Sequence, residues 1–210
     1  PPAVGALIGC AVTTGVGAAW HTGRVRPGQS VAVFGAGGVG LSAIAGAALA
    51  GAGPILALDR VTDHEAEARA LGATAFFVND GDALEAIRQH TQGRGADLVI
   101  DTTGVPAVQE QCLEAARPGG TVVLAGLAPM GSRTNLPGAV LVRQEKTVAG
   151  CYYGSAVPAR DFPRLSALYL GGRLPLDRLV TRTYPLDALN DAYADLDAGR
   201  LARGVVVFPG

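Results

Sequence analysis

The sequence predicts an α/β protein built on a doubly wound, six-stranded parallel sheet, and three observations support this fold class. Short runs that are apolar throughout alternate with helix-like segments from residue 31 onward. Strands of that kind are typical of a parallel sheet covered by helices on both faces. A glycine-rich turn, Gly35-x-Gly37-x-x-Gly40, joins the first such strand to the first helix. With 210 residues, 49% of them hydrophobic, the chain can bury a core.

The first two βα units are the easiest to place. The run VAVFG at 31–35 predicts a strand, and the small residues of 38–50 predict a helix directly after it. ILALD at 55–59 predicts the second strand. Thr62 and Glu65 then have the spacing of a capping box, which predicts the start of the next helix.

The same alternation continues through the middle of the chain. It predicts a strand over 73–79, a helix over 82–91, a strand over 96–101, a helix over 105–116 and strands over 121–126 and 147–153.

The pattern loosens after residue 153. A helix is expected near 160–170, a second one is expected to be capped by Asp187, and the chain closes on the apolar run VVVF at 205–208. This tail is too short for a domain of its own, so we expect it to complete another unit and to expose apolar surface.

Charge and composition exclude several classes of partner. The net charge of −1 gives no electrostatic reason to expect a nucleic acid or a membrane surface. No signal peptide is visible, and three widely spaced cysteines do not form a disulfide framework, so a cytoplasmic location is expected. The opening Pro1-Pro2 suggests an entry into the middle of a longer protein.

The glycine motif predicts a dinucleotide site. Gly35 permits the tight turn, Gly37 lets backbone approach a pyrophosphate, and Gly40 allows close helix–strand packing. Gly38 and Val39 lie between them, where free N–H groups at the helix start favour phosphate. The alternative is a tight turn without a ligand.

An acidic residue after the second strand favours NAD over NADP. Asp59 follows the motif by about 20 residues, where a carboxylate accepts hydrogen bonds from ribose hydroxyls and repels a 2′-phosphate. Arg60 is ambiguous, since an arginine there either pairs with a 2′-phosphate or stacks on the adenine.

Several stretches together are similar to one family. GCAVTTGVGAAWHTGRVRPGQSVAVFGAGGVGLSAI, LGAT at 71–74, RPGGTVVLAGL at 117–127, GCYYGS at 150–155 and the closing ARGVVVF resemble the zinc-dependent medium-chain alcohol dehydrogenases. They are most similar to the class III, glutathione-dependent formaldehyde dehydrogenase branch. The resemblance implies a Rossmann domain and hydride transfer from a zinc-bound alkoxide to NAD⁺, with an alcohol or aldehyde as substrate.

The resemblance also assigns individual residues. It places Cys10 as a ligand of the catalytic zinc, where residue type alone predicts a small buried hydrophobe. Thr14 would lie beneath the nicotinamide and Val39 opposite it, and Arg203 would reach a cofactor phosphate. The remaining positions would hold the carboxamide or flank the adenine: Ala125, Leu127, Cys151 and Tyr153 for the former, Thr102 and Thr103 for the latter. The stretch 128–147 resembles one that pairs subunits through added strands, which implies a homodimer or homotetramer.

The resemblance assigns 1–14 and 154–210 to a catalytic domain and 15–153 to the dinucleotide-binding domain. A single thiolate cannot hold a catalytic zinc, so the chain alone is expected to bind NAD without oxidising alcohols. Ordinary structural roles are expected for the following residues: His21, His64, His90, Cys112 and the turn Asp80-Gly81-Asp82. The alternatives are a zinc-free NADPH-linked quinone reductase, a dinucleotide-binding module without catalysis, and a methyltransferase.

Overall fold

The structure is a computed structural model that describes residues 1–81 and 83–208, and it confirms the predicted fold class. Six parallel strands form the central sheet in the order β3-β2-β1-β4-β5-β6. They are β1 Val31–Phe34, β2 Ile55–Asp59, β3 Ala75–Val78, β4 Ala96–Asp101, β5 Ala116–Leu124 and β6 Thr147–Gly150. The order reverses between β1 and β4, which is the position where doubly wound sheets bind ligands.

Helices cover both faces of this sheet. The sequence order is α1 Pro2–Thr22, α2 Gly38–Leu49, α3 Glu65–Ala70, α4 Ala83–His90, α5 Pro106–Ala115, α6 Gly138–Arg143, α7 Pro158–Leu170 and α8 Leu189–Asp197. Helices α1, α2 and α3 contribute to the core on one face, and α4 and α5 contribute to the core on the other. Strands β1, β2 and β4 are almost entirely buried, as their apolar sequences predict.

The first helix packs unusually close to the second. A Cβ atom on Gly15 would overlap the backbone of α2, and one on Gly46 would come within 2.9 Å of Val16. By length and mean hydropathy (1.6), α1 could span a membrane, but 61% of its apolar window is buried inside the molecule. Its burial against α2 accounts for the apolar sequence.

Two predicted helix caps are wrong. Helix α3 begins at Glu65 without a side-chain cap, and the Glu65 N–H donates to the Thr62 carbonyl at 2.9 Å, so a backbone turn replaces the capping box. Asp187 lies in a 3₁₀ turn, Leu186–Ala188, and α8 starts after it without a side-chain cap. Helix α4 agrees with prediction, although Asp82 lies outside the described residues.

The C-terminal tail forms a small unit with an exposed apolar face. Strands β7 Arg182–Tyr184 and β8 Gly204–Val206 pair in parallel. The buried carboxylate of Asp195 joins α8 to this pair, because it accepts hydrogen bonds from Tyr184 at 2.6 Å and from Arg182 at 2.7 Å. The predicted exposed apolar surface is present here, formed by Leu186, Leu189, Tyr193, Leu196 and Phe208.

The stretch 128–147 contains α6 and no strand before Thr147 within the described chain, so the added strands implied by the resemblance are absent from this single chain. Strand β6 is left at the edge of the sheet. A homodimer or homotetramer stays a prediction.

An ion pair fastens the amino ends of β4 and β5. The Asp97 carboxylate accepts hydrogen bonds from the Ser30 backbone at 2.8 Å, the Ser30 hydroxyl at 2.7 Å and Arg117 Nε at 2.6 Å. Burial raises the pKa of Asp97, but these hydrogen bonds and the Arg117 charge outweigh it and hold the pKa below its ordinary value.

An Arg117→Met substitution is expected to destabilise the fold by about 1–2 kcal/mol at pH 7. Because the folded-state pKa of Asp97 is depressed, its contribution is present above the unfolded-state pKa of about 3.9 and is lost as pH falls through the folded value. The gap between wild type and variant should therefore narrow below about pH 4. Urea unfolding at several pH values measures this, with the exposed Arg143→Met as control. A gap that stays constant at every pH would contradict the assignment.

Candidate functional site

A cavity of about 580 Å³ opens at the carboxyl ends of β1 and β4. Its floor is the turn after β1, one wall is the end of β2, and the tail residues 196–203 close the opposite side. It lies at the reversal of strand order, where a doubly wound sheet leaves a crevice. The predicted site residues that line it are Gly35, Gly37, Gly38, Val39, Gly40, Asp59, Arg60, Thr102, Thr103 and Arg203.

The glycine turn has the geometry that the motif predicts. Gly35 has a φ of +91°, a conformation that glycine adopts readily and other residues seldom do. A Cβ on Gly40 would overlap the Gly35 carbonyl oxygen, whereas a Cβ on Gly37 would meet no atom within 4 Å. The third glycine thus permits packing, and the second leaves a bare stretch of backbone facing open space.

The turn after β4 is held by a carboxylate that sequence analysis missed. Asp101 is fully buried and accepts hydrogen bonds from the Thr103 N–H at 2.8 Å, the Thr103 hydroxyl at 2.7 Å and Gln109 at 3.2 Å. The Thr102 hydroxyl donates to the Phe34 carbonyl at 2.9 Å. The turn is therefore tied to both the sheet and α5. The available sequence signal was a carboxylate at the end of an otherwise apolar strand.

Asp59 supports the glycine turn from the side. Its carboxylate accepts hydrogen bonds from the backbone N–H groups of Ala36 and Arg60, each at 2.6 Å. Burial raises its pKa, but these hydrogen bonds and the His64 imidazole outweigh burial and hold the pKa below its ordinary value. Asp59 is therefore anionic at the cavity wall at neutral pH.

His64 also lines the cavity, which the sequence interpretation as an ordinary turn residue did not foresee. It is 7% exposed, and its Nδ1 lies 3.7 Å from Asp59 Oδ2. Interaction with Asp59 raises its pKa, partly opposed by burial. Its spacing from Asp59, one loop later, was the only sequence signal.

Arg203 crosses from the tail to the glycine turn. Its side chain packs on the Cα of Gly38, where any Cβ would collide with it. The buried Nε has no hydrogen-bond partner within the described residues. A buried guanidinium nitrogen without an acceptor, beside a bare helix start, suits an anionic ligand.

The residues assigned to the nicotinamide end are not brought into this cavity, Val39 excepted. Thr14 is buried in α1, Ala125 and Leu127 follow β5, and Leu127 is 85% exposed. Cys151 is buried after β6, and the Tyr153 hydroxyl donates to the Gly9 carbonyl. Their roles at the nicotinamide stay predictions.

Cys10 is exposed in the π-helical part of α1, Ile8–Val12, so its interpretation as a small buried hydrophobe is wrong. No group of three or more metal-ligating side chains occurs in the described part of the chain. The Nδ1 atom of His21 forms a hydrogen bond with the Gly154 carbonyl at 3.0 Å, and Nδ1 of His90 forms one with the Ala86 carbonyl at 2.9 Å. Both contacts are consistent with structural roles. The residues described here do not by themselves fit a catalytic zinc, which takes three protein ligands.

Fold and site together define the class: a doubly wound α/β protein with a glycine-lined cavity at its switch point. Residues 38–170 match the family model described as zinc-binding dehydrogenase. The chain belongs to that family.

Relatives agree with this placement. The chain is 41% identical over 204 residues to the NDMA-dependent alcohol dehydrogenase of Amycolatopsis methanolica, covering 96% of this chain and 55% of that protein. It superimposes on an alcohol dehydrogenase zinc-binding domain protein from Burkholderia ambifaria with a TM-score of 0.91 and 38% identity, covering 97% of this chain and 55% of the other.

A third relative was solved with a dinucleotide. It is a putative zinc-binding dehydrogenase from Sinorhizobium meliloti 1021 bound to NADP, with a TM-score of 0.80 and 27% identity, covering 88% of this chain and 54% of the other. This chain thus spans about 55% of the length of its relatives.

Proposed function

We propose that this chain is the cofactor-binding part of a zinc-type alcohol dehydrogenase and that it binds NAD⁺ in preference to NADP⁺. The observation that supports this most strongly is the bare backbone at Gly37, which faces open space next to the Nε of Arg203, an atom without a hydrogen-bond partner in the described part of the chain. Both features suit a pyrophosphate. The family membership of the chain favours a nicotinamide dinucleotide over other phosphate ligands.

Each part of the cavity is proposed to bind a different part of the dinucleotide. The N–H groups at the start of α2 and the guanidinium of Arg203 hold the pyrophosphate. Asp59 accepts hydrogen bonds from the adenosine ribose, and Thr102 and Thr103 lie toward the adenine side. The 2′-phosphate of NADP⁺ would approach the anionic carboxylate of Asp59, which accounts for the preference for NAD⁺.

The bound nicotinamide supplies the acceptor for a hydride that leaves an alcohol. Thr14 and Val39 would position the ring, and backbone near Ala125, Leu127, Cys151 and Tyr153 would hold its carboxamide. An alcohol or aldehyde is the proposed substrate, with an S-hydroxymethyl thiol as the narrower class III candidate. A cytoplasmic homodimer or homotetramer is proposed for the whole enzyme.

Zinc enters this proposal only through Cys10. Its exposed thiol can serve as one soft ligand, and further ligands would have to come from residues outside this chain. The chain by itself is therefore proposed to bind the dinucleotide without oxidising alcohols.

A Gly37→Ala substitution tests the proposed function. The new methyl group meets none of the described protein atoms, but it occupies the space proposed for the pyrophosphate. Because Gly37 is the N-cap of α2 and alanine caps a helix less well, the thermal midpoint should fall only slightly. We expect the Kd for NAD⁺, measured by isothermal titration calorimetry, to rise about 50-fold.

Gly138→Ala is the matched control, because Gly138, the first residue of α6, lies at a helix start as Gly37 does directly before α2, and it also faces open space but lies outside the cavity. It should bind NAD⁺ as wild type does. Equal affinity in the Gly37→Ala variant, or no NAD⁺ binding by the wild-type chain, would refute the proposed function.

A further inference from the structure

His64 is enclosed at the cavity wall, and none of the residues that the structure describes forms a hydrogen bond with it. Neither Nδ1 nor Nε2 forms a hydrogen bond with any of the described residues, although the side chain is only 9% exposed. An imidazole normally satisfies at least one nitrogen when it is buried, so this arrangement leaves polar capacity for a ligand. His64 lines the same cavity as the glycine turn.

The charges around His64 are mixed. Asp59 faces it at 3.7 Å from β2, and Asp63 and Glu67, its neighbours in the chain, are close enough to favour its cationic form. Arg60 and Arg203 line the same cavity. A cationic His64 would offset the charge of Asp59, whereas a neutral His64 leaves that charge uncompensated next to the proposed ribose position.

We propose that His64 is a specificity-determining residue whose protonation sets how strongly the cavity rejects a phosphate on the cofactor's adenosine ribose. This inference rests on the proposed function and deepens it. With His64 protonated, the imidazolium and Arg60 offer positive charge to a 2′-phosphate beside a compensated Asp59. With His64 neutral, the carboxylate repels the phosphate and NAD⁺ is strongly preferred.

The direction of the pH effect follows from this arrangement. Interaction with Asp59 holds the pKa of His64 above its ordinary value of about 6.5, so the change in selectivity falls above that pH. Discrimination, expressed as the ratio of the Kd for NADP⁺ to that for NAD⁺, should increase as pH rises from 6 to 8.5. Adding or removing one charge close to the phosphate changes the ratio about tenfold.

The experiment compares His64→Gln, His64→Lys and wild type by calorimetric titration with NAD⁺ and NADP⁺ across that pH range. The 2′-phosphate has its own pKa of about 6, and the glutamine variant retains that titration alone. We expect the glutamine variant to lose about tenfold of the pH-dependent change in the ratio, and the lysine variant to keep the low ratio at every pH. His90→Gln, on α4 outside the cavity, should behave as wild type.

A second experiment uses only the wild-type chain, so its result does not depend on whether a variant folds. At pH values from 7.5 to 8.5, where the 2′-phosphate is almost fully dianionic, titrations in buffers of different ionisation enthalpy should show proton uptake with NADP⁺ and none with NAD⁺ at the pH where His64 is neutral before binding. Absence of that uptake, or an unaltered pH dependence in the glutamine variant, would overturn the role of His64 while NAD⁺ binding still supports the proposed function. Failure of the wild-type chain to bind either dinucleotide would overturn both.

Discussion

A Gly40→Ala substitution is expected to destabilise the fold by about 3 kcal/mol or more and to remove dinucleotide binding with it. The new Cβ would overlap the carbonyl oxygen of Gly35, which belongs to the backbone of the tight turn. Gly35 cannot retreat freely, because its N–H donates to the Leu58 carbonyl at 2.7 Å and its carbonyl accepts from the Thr102 hydroxyl at 3.1 Å. Relief of the overlap therefore requires α2 to move away from the sheet.

Chemical denaturation measures the loss of stability, and calorimetry measures the binding. Gly5→Ala is the matched control, since Gly5 lies in helix α1 and its Cβ would meet nothing within 4 Å. That change should stabilise the fold by about 0.5–1 kcal/mol, as Gly-to-Ala usually does in a helix. If Gly40→Ala behaved like Gly5→Ala, the close packing of the third glycine would have no energetic role.

The sequence predicts the sheet well because buried parallel strands leave a strong local signal. The runs at 31–34 and 55–58 are apolar throughout, glycine follows the first and a carboxylate the second, and both lie in strands in the structure. The position of the cavity also follows from sequence, because Gly35 directly follows β1 and Asp59 ends β2, and the two strands lie side by side in parallel. For β1 and β2, the strands predicted from the apolar runs are therefore the ones that position the cavity.

Helix starts in the chain were harder to predict. Thr62 has the residue type and the spacing of a cap, yet a backbone turn satisfies the Glu65 N–H instead. Asp187 lies in the 3₁₀ turn Leu186–Ala188, directly before α8, and so does not occupy the N-cap position of that helix. Whether a side chain or a backbone carbonyl accepts from the first N–H groups of a helix depends on the local backbone conformation, which residue types alone do not specify.

Two residues, one that lines the cavity and one that supports its wall, escaped prediction for a different reason. The partners lie nearby in the chain, Asp59 for His64 and both Thr103 and Gln109 for Asp101, but no periodicity or short motif contains these pairs. Asp101 accepts from Gln109 on α5, and Gln109 in turn accepts from Thr134, so its role appears only when α5 and the loop after β5 have been placed. Such networks become visible only in three dimensions.

An Asp101→Ala substitution is expected to destabilise the fold by about 4 kcal/mol. It leaves the Thr103 and Gly104 N–H groups and the Gln109 side-chain amide without their acceptor, and the carboxylate site is fully buried. Each buried unsatisfied group costs about 1–3 kcal/mol, reduced by whatever water reaches the turn. The turn after β4 should loosen, and the affinity for NAD⁺ should fall with it.

Urea unfolding at pH 7 measures the loss, and calorimetry on the folded fraction measures the affinity. Asp101→Asn retains one carbonyl acceptor and should lose about half as much stability, because its amide nitrogen faces donors. The exposed Asp187→Ala should change stability by less than about 0.5 kcal/mol. If Asp101→Ala lost no more than the Asp187 control, the buried carboxylate would not be what holds this wall of the cavity, and the rigidity of the adenine side would have to come from the packing of α5 alone.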